Sequence, residues 1–253
     1  MPSPYRSIFR SLAERNLLVP YLQNAVLAGE WPDSYQVTVD SRPWYGHGDG
    51  YFHPSSHAML GARQLYYMFH PDHRDRLVPE QRDVPLEMSA AVGSSLHAVV
   101  QAQFQHLGLL RPENVEKGFI IEDHHVRGRT DMIVDHPAEG PVVTEIKTRT
   151  PRGFDYGKLT ESWETQLSIA LYALGHAQGV LLEIEAGYPW RMREYRVNRN
   201  DEMLSAAFAK FDYVRECIAM NTPPPHCCAI GSSEMDKCPA KYECWLKSKV
   251  IRE

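Results

Sequence analysis

Apolar and polar positions along the chain change spacing several times, and each change predicts an element. Leu12, Leu17, Leu18, Tyr21, Leu22 and Val26 recur at roughly helical intervals and predict a helix from Pro4 to Gly29. Trp31 to Tyr51 mixes Asp, Gly, Pro and aromatics and reads as irregular. A helix over 54–70, opened by Pro54 and capped by Ser55 or Ser56, would bury Leu60, Leu65, Tyr66 and Phe69. A charged, proline-bounded linker from Pro71 to Pro85 then leads into a long helix, Ser89 to Leu110. Strand-like runs follow at Val115 to Ile121 and on both sides of His136-Pro137-Ala138-Glu139-Gly140, a turn-forming stretch. Beyond it lie a helix (Thr160 to Gly175), two strands (Leu181 to Ala186, Arg193 to Val197) and a helix (Asp201 to Met220) stopped by Pro223-Pro224-Pro225. The order is that of an α/β protein.

The stretch from Gly128 to Thr148 carries the clearest chemistry. A hairpin symmetric about Ala138 places Asp131 opposite Glu145, and strand alternation puts Lys147 on the same face. Two carboxylates and an ammonium on one face suit a divalent cation and a water nucleophile. The same three residues would also make a salt-bridged exposed face. His97, among Leu96, Val99, Val100 and Phe104, reads from the pattern alone as a core-edge histidine. His124 and His125 are adjacent, so on an extended segment they point to opposite faces and do not share an ion.

Composition narrows the partners. The 253 residues carry a formal charge of -5, which argues against coating nucleic acid through bulk charge. Arg127, Arg129, Lys147, Arg149, Arg152 and Lys158 nevertheless cluster around the hairpin and allow a local basic groove. No apolar segment approaches the ~20 residues of a membrane span, and the amino-terminal MPSPYRSIFR lacks a signal-peptide core, so a cytoplasmic protein is expected. All five cysteines lie from Cys217 onward, which in that compartment suggests a metal site more than disulfides.

Taken in order, Gly93-Ser94-Ser95-Leu96-His97, Gly128-Arg129-Thr130-Asp131, Thr144-Glu145-Ile146-Lys147 and Gln166-Leu167 resemble the motifs of the RecB-like branch of the PD-(D/E)XK nucleases, including CRISPR-associated exonucleases and phage relatives. The resemblance runs from about Ser55 to Trp245. It implies a restriction-endonuclease-like core at 86–215, with a mixed central sheet flanked by helices. A helical region over 1–85 would pack on that core, and a Cys-rich segment over 216–253 would close it. His97, Asp131, Glu145 and the backbone carbonyl of Ile146 would then hold Mg²⁺ or Mn²⁺. Lys147 would be the catalytic lysine, and Gln166 would hold substrate or that lysine. The family's usual tyrosine four residues after the glutamine is Ala170 here, and Tyr172 falls about 120° away around a helix.

The resemblance also implies an iron–sulfur cluster held by one amino-terminal and three carboxyl-terminal cysteines. Cys238 and Cys244 match its final pair, with Cys227 or Cys228 ahead, while Gly61 stands where the amino-terminal cysteine is expected. The tail set is therefore Cys228, Cys238 and Cys244 around a [4Fe–4S] cluster or Zn²⁺, with the fourth ligand from Cys217, His226 or the second member of the Cys227-Cys228 pair. Adjacent cysteines rarely serve one ion together, which favours Cys217 or His226. The expected activity is metal-dependent hydrolysis of DNA, exonucleolytic on single strands or ends. Arg63, Arg129, Arg149 and Arg152 would contact the backbone, and Tyr66 and Trp163 are available for base stacking or core packing. The alternatives are a non-catalytic DNA-binding subunit of a recombination or CRISPR-adaptation assembly, and a redox or regulatory module centred on the tail.

Overall fold

The structure is a computed structural model describing residues 16–37, 49–78 and 84–246. Contacts divide the chain into two units, one of residues 1–40, 85–119 and 129–199, the other of 41–84, 120–128 and 200–253. The first unit holds most of a five-stranded sheet. Its strands are β1 (Val115–Ile121), β2 (Val126–His136), β3 (Gly140–Arg149), β4 (Gln178–Glu185) and β5 (Met192–Asn198), hydrogen-bonded in that order. β2 and β3 form the expected hairpin, in the register Met132↔Thr144 to His136↔Gly140. β3 runs parallel to β4, and β5 returns antiparallel, so the sheet is mixed. The α/β class expected from the pattern is the class observed.

Alternation sorts the strand residues onto two helical layers. Met132, Val134, Val142, Ile146, Val180, Leu182 and Ile184 pack on one face with α1 (Val19–Ala28) and with Val100 and Phe104 of a long helix over Val84–His106. Ile133, Val143, Leu181 and Val197 pack on the other, against Leu167 and Leu171 of a helix over Glu161–Leu174. The amide groups of Leu17, Leu18 and Val19, which open α1, are all taken by the Glu194 carboxylate of β5. A negative group at a helix amino terminus meets both the unsatisfied donors and the dipole. The helix over Glu161–Leu174 starts at Thr160, whose side chain accepts the Trp163 amide, and ends at Gly175, whose φ of 74° suits a residue without a Cβ.

In the second unit the single helix expected over 54–70 is two, α2 (Pro54–His57) and α3 (Ala62–Phe69). Gly61 between them is extended, with ψ 147°, which ends one helix and begins the next. A turn of helix, α4 (Pro71–Arg74), lies in the expected linker, and the long helix over Val84–His106 is α5. With α6 (Pro151–Tyr156), the helix over Glu161–Leu174 becomes α7, followed by α8 (Asp201–Ala219) and α9 (Ser233–Lys237). α8 buries Leu204, Phe208, Phe211 and Val214, and Phe211 stacks on Phe52 with ring centroids 4.4 Å apart. His124 lies in a 3₁₀ turn and bonds Asp212, while His125, at φ 49°, stacks on Tyr51. The two histidines are thus engaged separately. The first part of the helix expected from Pro4, and much of the irregular segment up to Tyr51, lie outside the described residues. Among the described residues no helix is long and apolar enough to cross a membrane.

Candidate active site

The alternation that buries Ile133, Val143 and Leu181 against α7 places Asp131, Glu145 and Lys147 on that same face. The β2–β3 pairing reaches Met132↔Thr144, one step before Asp131 and Glu145. There the side chains of β2 take over the β3 backbone. Thr130 Oγ1 donates to the Thr144 carbonyl at 3.0 Å, and Asp131 Oδ2 accepts the Ile146 amide at 2.6 Å. Asp131 is thereby fixed beside the peptide that joins Glu145 to Ile146.

Glu145 is 1% exposed, and its Oε2 accepts Lys147 Nζ at 3.3 Å and Gln166 Nε2 at 2.9 Å. The other face of the same amide, Gln166 Oε1, accepts Lys147 Nζ at 2.8 Å. α7 therefore holds the lysine and the glutamate through one side chain. Glu145 Oε1 is buried without a hydrogen-bond partner. A buried carboxylate oxygen left unsatisfied costs about 1–3 kcal/mol or more, which is tolerable where a ligand completes it. Burial first, and then the Asp131 charge, push the Glu145 carboxyl up to about 8 against the opposing pull of Lys147. Asp131 moves the other way. Burial is the largest influence and raises it, but the hydrogen bond and charge of His97, the Lys147 charge and the Ile146 amide together hold it below the ordinary value.

His97, on α5, lies with Nδ1 3.4 Å from Asp131 Oδ1. Of the residues expected from the motifs, the structure thus brings together His97, Asp131, Glu145, Lys147 and Gln166. Two residues outside the motifs join them. Glu116 of β1 offers a carboxylate oxygen which, with His97 and Asp131, makes a group of ligand atoms all within 4.8 Å of one another. Gln101 donates to Glu116 Oε1 at 3.0 Å and to the Asp131 carbonyl at 2.9 Å. Gln101 follows His97 by four residues, one helical turn, and that spacing was a signal in the sequence. Glu116 left none, because a polar residue early in a strand looks like an ordinary exposed position.

The arginines expected at DNA divide. Arg129 has a side chain 67% exposed and pairs with Glu116, and Arg152 is exposed. Arg149 is instead enclosed. It pairs with the fully buried Glu183, lies 4.1 Å over the Trp163 ring and donates to the Lys158 carbonyl. Arg193 and Tyr195 bond the same glutamate. Arg63 is likewise turned inward, donating to Cys244 Sγ, Tyr67 Oη and the Pro224 carbonyl. Tyr66 is buried and bonds Asn221. Trp163 and Tyr66 thus serve packing, and Tyr172 is exposed.

In the tail, Cys227, Cys228, Cys238 and Cys244 line one small cavity with Gln64, Tyr67 and Trp245. Cys217 is elsewhere, buried on α8 and facing Tyr66 and Tyr213. Of the expected four cysteines the structure gathers three, and the fourth at the cavity is Cys227. A Cβ added to Gly61 would stand 2.5 Å from both Cβ and Sγ of Cys227. The Cys227 side chain therefore fills the volume that a side chain at position 61 would need. His226 Nδ1 is 3.4 Å from Cys244 Sγ, with its ring stacked on Trp245. Burial, and less strongly the neighbouring thiols, push Cys238 up to about 11.

Residues 105–219 match the profile of the PD-(D/E)XK nuclease superfamily. That stretch spans the five strands from β1 to β5 and holds Asp131, Glu145, Lys147 and Gln166, so this part of the chain is similar to the nuclease domains of that superfamily. Among solved structures it is similar to SSO0001, with a TM-score of 0.47 and 17% identity over 94% of this chain and 98% of that one. It is also similar to the alkaline exonuclease LHK-Exo from Laribacter hongkongensis, with a TM-score of 0.49 and 14% identity over 70% of this chain and 92% of that one. The complex of LHK-Exo with dAMP gives a TM-score of 0.45 and 13% identity over the same shares, 70% and 92%. No curated protein matches the sequence.

Proposed function

We propose that this protein is a deoxyribonuclease dependent on Mg²⁺ or Mn²⁺ that hydrolyses phosphodiester bonds in single-stranded DNA or at DNA ends. The observation that carries the reading is the buried, half-satisfied carboxylate of Glu145, set beside Asp131 and tied to Lys147 through Gln166. Superfamily members use divalent metals, and the donors here, carboxylates with an imidazole, are hard to borderline ligands of the kind such ions take. Bound at Asp131, Glu145 and the Ile146 carbonyl, with His97 adjoining, a divalent cation would polarise the scissile phosphate and make water a better nucleophile.

The side chains supply the rest. Lys147 Nζ, held by Gln166 and Glu145, orients the attacking water and offsets negative charge on the phosphate in the transition state. A bond forms from the water oxygen to phosphorus as the opposite P–O ester bond breaks, leaving one phosphate end and one hydroxyl end. Arg129 and Arg152, both exposed, are the proposed contacts to DNA phosphates. In the tail, Cys227, Cys228, Cys238 and Cys244 are the proposed ligand set for a [4Fe–4S] cluster or Zn²⁺, with Cys227 taking the place of the ligand missing at Gly61. A visible spectrum separates the two, since only the cluster absorbs broadly near 400 nm.

The test is digestion of end-labelled single- and double-stranded DNA with and without Mn²⁺, beside an Asp131→Ala variant. Metal-dependent release of label by the wild type alone supports the reading. DNA binding without cleavage by the wild type would instead favour a non-catalytic subunit.

A further inference from the structure

We infer that Tyr156, Tyr188 and Trp190 form a base-stacking platform for the unpaired strand of a DNA substrate, set beyond the end of β3 that carries Lys147. The inference rests on the nuclease reading above and adds to it a means of preferring single-stranded DNA to duplex. The three residues are open to solvent, with Tyr156 83%, Tyr188 88% and Trp190 48% exposed. Single exposed aromatics are ordinary, but these come from two segments that are bound together. Asp155 of α6 pairs with Arg191 at 2.7 Å, so Tyr156 and Trp190 each adjoin one end of an ion pair in the chain. Arg191 also grips the buried Glu185 through two hydrogen bonds of 2.9 Å and lies over the Phe154 ring. A Cβ added to Gly187 would stand 3.0 Å from Pro151 Cγ, so the β4–β5 turn and α6 approach closely.

The backbone of Trp190 is a second, independent sign. Its φ of 59° lies in the left-handed region, which a bulky side chain seldom adopts, and its amide donates to the Gly187 carbonyl at 2.7 Å. Burial does not account for that conformation, because about half of the residue stays in water. Strained positions of this kind gather at ligand contacts. Charge and position then select the occupant. Arg152 and Lys158 lie on either side of Tyr156 in the chain, are exposed and enter no ion pair among the described residues, while the intervening Asp155 is already paired. Aromatic faces interleaved with open cations suit bases joined by phosphates better than an apolar protein surface, which would leave the cations unmet. The patch is also continuous with the candidate active site. β3 runs from Glu145 through Lys147 to Arg149, and Ala186, the residue before Gly187, donates to the Arg149 carbonyl. At about 3.3 Å per residue the turn lies roughly 10–15 Å beyond Lys147, the span of about three or four stacked nucleotides. Duplex bases are already stacked on one another, so an unpaired strand is the one that offers its faces to these rings.

The experiment is fluorescence anisotropy of the full-length protein, without added divalent metal, on three labelled probes: oligothymidine, an abasic strand of the same length and a blunt duplex. Digestion of DNA with Mn²⁺ is measured alongside. The wild type is expected to bind oligothymidine more tightly than the abasic strand, which keeps the phosphates and lacks the bases. Trp190→Gly suits the backbone at φ 59° and should melt no lower than the wild type. It is expected to weaken oligothymidine binding about tenfold while the abasic strand and the duplex change by less than about twofold. Tyr156→Ala and Tyr188→Ala should act in the same direction, and Trp190→Phe, which keeps a ring, should recover most of the loss. A purely structural role would not separate the two single strands. Equal losses on oligothymidine and the abasic strand would overturn the platform. So would wild-type affinity for every probe in all three truncated variants, the result expected of a surface for a protein partner. A wild type that cleaves DNA in Mn²⁺ but binds the abasic strand as tightly as oligothymidine would overturn the platform and leave the nuclease reading intact. A wild type that neither binds nor cleaves DNA would overturn both.

Discussion

Lys147 Nζ donates to Gln166 Oε1 at 2.8 Å, a contact between the third strand and the helix that packs on its face. Because the opposite end of that amide donates to Glu145, the position of the lysine is set by α7 as well as by β3. Gln166→Ala removes both contacts at once without touching a metal ligand. The expected outcome is a fall in kcat on the order of 10–100-fold, with DNA affinity and Mn²⁺ affinity changed little. Single-turnover kinetics beside binding isotherms check this. An equal loss in DNA affinity and rate would assign Gln166 to substrate holding instead.

The acid–base state of Glu145 gives a prediction of sign. Its carboxyl is raised from an ordinary value of 4.5 to about 8 in the metal-free chain, so the folded state holds this proton more tightly than the unfolded state does. Stability contributed by the protonated form is therefore complete below about 4.5 and falls as pH rises toward 8. A divalent cation needs the carboxylate, so its binding expels the proton and strengthens with pH over the same window. Thermal melts at pH 6 and pH 8.5, with and without Mn²⁺, should show a larger metal-induced rise at the higher pH. Glu145→Gln should abolish that difference and, without metal at pH 8.5, melt above the wild type. A metal-induced rise independent of pH would contradict the assignment.

Glu183 is buried on β4 and held by Arg149, Arg193 and Tyr195. Glu183→Ala leaves two arginines facing each other with their shared partner gone. A loss of about 3 kcal/mol is expected, because breaking a buried charge network strands the remaining charges. Urea denaturation measures it. Glu183 lies opposite Lys147 in the β3–β4 register, so the cleavage rate of the folded fraction is also expected to fall, whereas Mn²⁺, which this glutamate is not proposed to hold, should still bind.

The cysteine tail makes a prediction about exchange of ligands. Gly61 has no unusual backbone requirement, with φ −67° and ψ 147°, so space alone keeps it glycine. Cys227→Ser should lower bound iron or zinc in the purified protein. Gly61→Cys alone should be destabilising, because its Cβ meets Cys227 at 2.5 Å. The double variant Gly61→Cys with Cys227→Ala moves the thiol across the same gap and should restore the metal. Failure of the double variant to restore what Cys227→Ser loses would refute the exchange.

Much of this was legible in the chain. The β2–β3 register follows from apolar alternation on both sides of a Pro-Ala-Glu-Gly turn, and one residue of slip would have sent Asp131 and Glu145 to the opposite faces. Gln166 was legible through its place after the hairpin, on a helix whose apolar spacing and Thr160 cap are both plain. Glu116, Glu183 and the place of Cys227 rather than Cys217 beside the other tail cysteines were not, and for one shared reason. Each owes its environment to contacts from other parts of the chain: Gln101 and Arg129 for Glu116, Arg149 and Arg193 for Glu183, Gly61 for Cys227. Local spacing carries no record of such contacts. Arg149 and Arg63 looked like surface cations for the same reason, since nothing near them in sequence names Glu183 or Cys244.

The most direct test of the central claim is single-turnover cleavage of end-labelled DNA in saturating Mn²⁺ by the wild type and Lys147→Met. In the proposed mechanism Lys147 acts at the reacting phosphate without holding the metal. The account predicts that the variant still binds DNA and Mn²⁺ while its cleavage rate falls on the order of 10²–10³-fold. Cleavage at the wild-type rate by Lys147→Met would contradict it.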